Sequence, residues 1–194
     1  MRADARANRA AVVAAARRLI AAQGAGASLT AIAEEAGVGI ATLYRHFPTR
    51  EDLLYALAVD ARDRIVAITS EHAARADTHP IEWWESCVRA LAALRPGVFI
   101  AEAAGAQPAG TELETLGRVR ADMLAAVDSV LALAKQRGLA RDDVTPVHFQ
   151  LGLARITRPL PVDLDAPPFD ADEFPGAEEH ERWLVDVYLR GLRP

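Results

Sequence analysis

Residues 28–54, SLTAIAEEAGVGIATLYRHFPTREDLL, contain two short helical patterns separated by a glycine turn. Ser28 is a suitable N-cap for the first, whose apolar residues recur at helical spacing until Gly37 stops it. The second pattern, residues 39–46, has room for only about two helical turns. Two helices of this length around a glycine turn predict a helix-turn-helix, in which the second helix enters the DNA major groove.

The faces of these two helices predict which side chains are buried and which point outward. The residues expected to form a small core with the neighbouring helices are Val12, Ala16, Leu19, Ile32, Ala33, Ala36, Val38, Leu43, Phe47 and Leu53. Thr42, Tyr44 and His46 remain outward, where hydroxyl and imidazole groups can reach phosphate oxygens. Arg50 adds a positive charge at the amino end of the next helix, which starts with a capping-box-like Thr49. The alternative is that Tyr44, Arg45 and His46 form only the solvated face of a helical bundle.

Charge is divided unevenly along the 194 residues, whose formal net charge is −5. Residues 1–50 contain seven arginines and three acidic residues, so their net charge is +4. The rest of the chain contains 15 basic and 24 acidic residues, so its net charge is −9. This asymmetry indicates a basic N-terminal head that meets a polyanion and an acidic body that does not.

The cysteine and histidine content excludes several kinds of site. Cys87 is the single cysteine, so no internal disulfide can form, and four of the five histidines are scattered without zinc-ligand spacing. Arg17 and Arg18 interrupt the apolar run near the N-terminus, which disfavours a signal peptide. No segment approaches the roughly 18 apolar residues of a membrane span. We therefore expect a cytoplasmic protein with no membrane contact and no cofactor.

Helical periodicity runs through almost the whole chain, and no segment alternates convincingly like a strand. The helices expected outside the central pair are residues 8–24, 51–74, 81–94, 98–104, 112–136, 145–156 and 178–192. Five prolines and five acidic residues make residues 158–176 a loop. The fold class is therefore predicted to be all-α.

Residues 28–54 also resemble the DNA-binding signature of TetR-family transcriptional regulators. The matching features are a hydroxyl residue before Ile-Ala, the Ala-Gly-Val turn, Thr-Leu-Tyr, the aromatic Phe47, and Pro-Thr-Arg-Glu before a leucine pair. The resemblance implies an N-terminal three-helix helix-turn-helix DNA-binding domain, residues 1–50. A helical effector-binding and dimerisation domain, residues 51–194, would follow, with the helix 51–74 connecting the two.

In that family the second helix of the motif supplies most of the DNA contacts. The positions implied here are Leu29, Thr30, Gly39, Ile40, Ala41, Thr42, Tyr44, Arg45, His46 and Arg50. Arg50 stands where relatives have a phosphate-binding lysine. Three positions depart from the family's usual residues. Relatives often have a longer polar or basic residue in place of Thr30, a serine in place of Gly39 and a glycine in place of Ala41. These departures concern the operator sequence rather than DNA binding itself.

The resemblance further implies a homodimer on near-palindromic double-stranded DNA and a pocket for a small organic effector. Apolar faces on residues 145–157 and 178–192 fit a four-helix bundle between two subunits. Trp83 and Trp84 are adjacent on a helix, so at most one is expected to face squarely inward. The pocket candidates are Trp83, Cys87, Phe99, Glu102, Arg120, Met123, Val127, His148 and Phe149. Ordinary core packing is the alternative for both sets of residues.

The implied mechanism is that of a repressor released from its operator when the effector binds. One alternative is a dimeric DNA-binding protein that has no effector. The other is a helical enzyme, which is disfavoured because the sequence has no G-x-S-x-G, H-E-x-x-H or glycine-rich phosphate loop.

Overall fold

A computed structural model describes residues 2–23, 26–76, 79–96, 111–158 and 176–194, which form eight α-helices and no strand. In chain order these are α1 Arg2–Gln23, α2 Leu29–Glu35, α3 Ile40–His46, α4 Arg50–Ala73, α5 Pro80–Ala92, α6 Thr111–Gln136, α7 Pro146–Ile156 and α8 Ala177–Leu192. The predicted all-α class is confirmed. The expected helix 98–104 and nearly all of the expected loop 158–176 lie outside the described residues. No helix in the described ranges is long and apolar enough to cross a membrane.

Helix α1 is longer than its apolar periodicity predicted. It begins at Arg2, not near Asn8. The added turns have no apolar stripe, but they consist mainly of alanine and arginine, which are among the best helix formers. The periodicity therefore marked only the buried part of α1, and intrinsic propensity extends the helix beyond it.

Two glycines with positive φ end helices, and the first of them, Gly37, is the stop that the sequence predicted. Gly37 has φ +67° after α2, and Gly138 has φ +65° after α6. At the first, Val38 N–H donates to the Ala33 carbonyl and Gly37 N–H to the Glu34 carbonyl, each at 3.0 Å. This pair of bonds is a Schellman motif, and the same pair follows α6. The turn between α2 and α3 is thus set by local backbone chemistry.

The chain divides into two compact units, and both α4 and α6 contribute to each of them. The division falls after Asp63 in α4 and after Arg120 in α6. All ten residues of the predicted helix-turn-helix core lie in or against one apolar cluster of the first unit. A separate cluster built from α5 and from parts of α6, α7 and α8 forms the core of the second unit.

Helix α6 buries more of its apolar residues in its second half than in its first. Val127, Val130 and Leu131 are buried in the core of the second unit, whereas Leu113 is 58% exposed.

Both Trp83 and Trp84 are buried, which corrects the expectation that at most one would face inward. Trp83 donates its Nε1–H to the carbonyl of His72 at 2.6 Å. The Trp84 ring packs on Phe149, with ring centroids 5.7 Å apart. Helix α5 is therefore covered on two sides, by the end of α4 and by α7, so two adjacent positions can both be buried.

Helices α7 and α8 approach closely at Gly152. A Cβ atom at this position would lie 2.5 Å from the Tyr188 hydroxyl oxygen and 2.7 Å from Tyr188 Cζ. The tyrosine is held in place because its hydroxyl donates to the Phe149 carbonyl at 2.9 Å. Burial also raises the pKa of Tyr188 well above its ordinary value, so the phenol stays a protonated donor.

We expect Gly152→Ala to lower the free energy of unfolding by about 1–3 kcal/mol, because the added methyl group overpacks this contact. Gly117→Ala in α6 is the matched control. Nothing lies within 4 Å of a Cβ at Gly117, and replacing a mid-helix glycine by alanine stabilises by about 0.5–1 kcal/mol. Urea unfolding followed by circular dichroism measures both variants. Equal stability of the Gly152→Ala and wild-type proteins would show that Tyr188 moves aside without cost.

Candidate nucleic-acid interface

Helix α3 has one buried side and one exposed side. Leu43 is fully buried, and Phe47, directly after the helix, is 1% exposed. Ile40 and Tyr44 are 39% and 49% exposed. The exposed side consists of Ile40, Ala41, Tyr44 and Arg45, with Thr42 and His46 half-buried at its edges. Six of the predicted DNA contacts, including those at the edges, are thus brought together on one short helix.

Capping hydrogen bonds fix the helices on either side of α3. Ser28 Oγ accepts from Ala31 N–H at 3.1 Å, so the predicted N-cap of α2 is confirmed. Asp52 N–H donates to Thr49 Oγ1 at 3.1 Å, while Thr49 N–H donates back to Asp52 Oδ2 at 3.0 Å. This reciprocal pair is the capping box predicted at the start of α4. Leu29 packs against the core at the beginning of α2, and Thr30 is exposed there.

An unpredicted hydrogen bond joins two residues of α3. Arg45 Nη2–H donates to Thr42 Oγ1 at 2.7 Å. The two residues are three positions apart, which places them on neighbouring turns of the helix. The bond gives the guanidinium a defined direction along α3. The threonine hydroxyl proton can still be donated, because the oxygen acts here as the acceptor.

Arg50 has an internal partner that the sequence did not suggest. Its Nη1–H donates to the carbonyl of Ala27 at 2.9 Å, and the side chain is half-buried. Ala27 itself is 1% exposed in the segment before α2. Arg50 therefore ties the start of α4 to the entry of α2. Its contact with phosphate stays a prediction.

Ion pairs compensate part of the positive charge of the N-terminal head. Arg17 of α1 pairs with Asp60 of α4 at 2.8 Å. Arg18 pairs with Glu35 of α2, also at 2.8 Å. These two arginines join helices within the first unit, because each has a carboxylate partner on another helix. The net charge of residues 1–50 does not by itself tell which arginines meet a polyanion.

Arg9 is a further arginine near α3 that sequence reasoning did not single out. Its Cζ lies 5.0 Å from the centroid of the Phe47 ring, which is cation–π geometry. Phe47 directly follows the last residue of α3 and lies 38 positions after Arg9 in the sequence. No local pattern in the sequence indicates this contact.

Five of the nine predicted effector-pocket residues lie in or against the core of the second unit. Those buried in or packed against its core are Trp83, Cys87, Met123, Val127 and Phe149. Arg120 and His148 are exposed, and Phe99 and Glu102 lie outside the described residues. Two open grooves, of about 550 and 350 Å³, are lined by other residues of this unit.

The buried Cys87 behaves as an apolar residue. It is fully inaccessible, and burial raises the pKa of its thiol to about 12. A thiol with such a pKa is not ionised near neutral pH and is a poor nucleophile.

Comparisons with known proteins cover both parts of the chain. Residues 12–57 match the family model of bacterial regulatory proteins of the tetR family. Residues 76–194 match the model of the C-terminal domain of SbtR-like transcriptional regulators. Both matching models thus describe regulators rather than enzymes. No curated protein sequence is similar enough to count as a match.

Solved structures resemble the chain over nearly its whole length. A TetR regulator from Mycobacterium vanbaalenii is 28% identical, with a TM-score of 0.62 over 100% of this chain and 99% of that one. The Streptomyces coelicolor regulator SCO0520 is 29% identical, with a TM-score of 0.61 over 96% and 98%. LfrR from Mycobacterium smegmatis, solved with proflavine, shares the fold at 17% identity and a TM-score of 0.56, over 95% of each chain. With its helix-turn-helix and with family models matching at both ends, the chain belongs to the TetR family of transcriptional regulators.

Proposed function

We propose that the protein is a homodimeric repressor that binds a near-palindromic double-stranded operator through α3 and leaves it when a small organic effector binds. The exposed side of α3 carries this proposal. Residues 1–50 would act as the DNA-binding domain, and residues 51–194 as the effector-binding and dimerisation domain, connected by the helix 51–74.

Each exposed group of α3 suits a particular DNA contact. Tyr44 and His46 donate to phosphate oxygens, and Thr42 donates to a phosphate or touches a thymine methyl group. Arg45 can donate to a guanine edge, the commonest specific contact of arginine. Ile40 offers an apolar contact, while Gly39 and Ala41 let the backbone come close. Leu29, Thr30 and Arg50 would contact the flanking backbone.

A dimer follows from the small size of α3. A single two-turn helix makes few contacts, whereas two such helices about 34–36 Å apart read successive major grooves. Exposed apolar side chains on the paired helices α7 and α8 supply a surface for this dimer. They are Leu151, Trp183 and Val187, which are 54%, 55% and 41% exposed.

Release by an effector rests on the family's usual behaviour and on the aromatic core of the second unit. Apolar walls with a few polar groups suit a small organic molecule. The lining residues would be drawn from Trp83, Cys87, Phe99, Glu102, Arg120, Met123, Val127, His148 and Phe149. The effector must bind the DNA-incompetent form more tightly, because equal affinity for both forms shifts nothing.

A thermal-shift screen separates this sensor from a DNA-binding protein that has no effector. A ligand present at 100 times its dissociation constant adds about 2.7 kcal/mol of stability. A hit that also lowers operator affinity supports the sensor. A hit that is consumed with turnover would indicate an enzyme instead.

DNA binding is tested first with the purified protein and the DNA that flanks its own gene, using excess random competitor and a salt titration. We expect a competitor-resistant complex whose salt slope corresponds to roughly 6 to 10 phosphates per dimer. Thr42→Ala combined with Tyr44→Ala should weaken this complex about ten- to a hundredfold, because both changes remove predicted contacts of each subunit.

The matched control for this experiment is Ser70→Ala combined with Ile81→Ala. Both of these side chains are exposed in the second unit, so their removal should leave the affinity unchanged. If both double variants bind as well as the wild type, α3 is not the recognition helix.

A further inference from the structure

Arg6 and Arg9 form a short row of arginines on α1, and the contact with Phe47 positions Arg9 within it. The aromatic face holds the guanidinium beside the end of α3 without neutralising its charge, unlike the carboxylates that pair with Arg17 and Arg18. Arg9 is exposed although it is packed on a buried ring. A positive charge therefore lies next to the candidate recognition helix.

Arg6 continues this row by one helical turn. Arg6, Arg9, Val13 and Arg17 follow one another at spacings of three and four residues and so share one face of α1. The C-terminal part of this face packs against the rest of the first unit, because Val13 is buried and Arg17 pairs with Asp60. Arg6 is exposed. Asp4 lies about 200° around the helix from Arg6, so its carboxylate is on another side.

We propose that Arg6 and Arg9 form a second DNA-contacting surface that binds phosphates beyond those reached by α3. This inference rests on the proposed DNA binding and extends its footprint along α1. Guanidinium groups bind phosphate oxygens through several N–H donors and do so without regard to base sequence. The two residues lie before residue 12, where the match to the tetR family model begins. The family-model match therefore does not cover either residue.

The test measures binding to a random-sequence duplex of about three helical turns, roughly 30 base pairs, by fluorescence anisotropy. Affinities are compared between about 50 and 200 mM salt for the wild type, Arg6→Ala and Arg75→Ala. Arg75 is an exposed arginine of the second unit, so its removal changes the net charge equally. We expect Arg6→Ala to reduce the salt slope by about 0.9 for each subunit, and Arg75→Ala to leave it unchanged.

Arg9 needs a second pair of variants, because it also packs on Phe47. Arg9→Lys keeps the charge and should retain most of the salt slope, whereas Arg9→Ala should lose as much of it as Arg6→Ala does. The thermal unfolding temperature of each variant is also measured, so that a loss of binding caused by destabilisation can be recognised. None of these changes should alter sequence preference, since phosphate contacts carry none.

The outcomes separate the two proposals. A wild type that binds DNA with a steep salt slope, together with Arg6→Ala and Arg9→Ala slopes equal to that of Arg75→Ala, would overturn the second surface and leave the repressor in place. A wild type that binds neither this duplex nor the flanking DNA would overturn both.

Discussion

Replacing Trp183 by aspartate should raise the dissociation constant of the proposed dimer about a thousandfold or more and, as a result, lower operator affinity. The reason lies in the two apolar stripes of α8. Val185, Leu189 and Leu192 are buried in the core of their own subunit, whereas Trp183 and Val187 are exposed on another stripe of the same helix. A surface helix normally needs only one apolar stripe, so the second indicates a partner.

The size of this effect follows from the symmetry of a dimer. Each copy would lose the burial of a large side chain, worth about 1.5–3 kcal/mol, and would place a carboxylate in an apolar interface. Two copies therefore lose more than about 4 kcal/mol, which is a thousandfold in the dissociation constant.

Sedimentation equilibrium and DNA binding measure the two consequences separately. The wild type should have twice the chain mass of 20.9 kDa, and the Trp183→Asp protein should have the chain mass itself. Ile81→Asp is the matched control, because Ile81 is a comparably exposed apolar residue on α5. A Trp183→Asp protein that remains dimeric would place the subunit interface away from the exposed stripe of α8.

Phe47→Ala should destabilise the first unit by about 3–5 kcal/mol, the usual cost of removing a buried phenylalanine. Phe47 lies in the same cluster as Leu43 and Leu53, and its ring carries the guanidinium of Arg9. Its loss leaves a cavity under the end of α3 and removes the cation–π contact together with the apolar one. DNA binding should fall as α3 loses its support.

Urea unfolding of Phe47→Ala is best compared with that of Tyr44→Ala. Tyr44 is 49% exposed on α3, so its removal should change stability by no more than about 0.5 kcal/mol. Tyr44→Ala should nevertheless weaken DNA binding. A stable Phe47→Ala protein, with less than about 1 kcal/mol lost, would show that α3 is held mainly by other contacts.

Features that depend on neighbours along the chain could be predicted from the sequence alone. The N-cap at Ser28, the capping box at Thr49 and the glycine stop at Gly37 each involve residues within a few positions of one another. Helical periodicity likewise identified the core around Leu43, since burial repeats every three to four residues on a helix. These local signals were enough to predict an all-α chain with a helix-turn-helix.

The number of sides on which each helix is covered, and the partner that each arginine meets, depend instead on how the chain folds in three dimensions. The burial of both Trp83 and Trp84, the second apolar stripe of α8, the bond from Arg50 to Ala27 and the stacking of Arg9 on Phe47 all join segments distant in sequence. A single helix records which of its residues are apolar, but not how many neighbouring surfaces will cover them. A guanidinium suits a carboxylate, a carbonyl or an aromatic ring, so its partner is set by what the fold brings within reach.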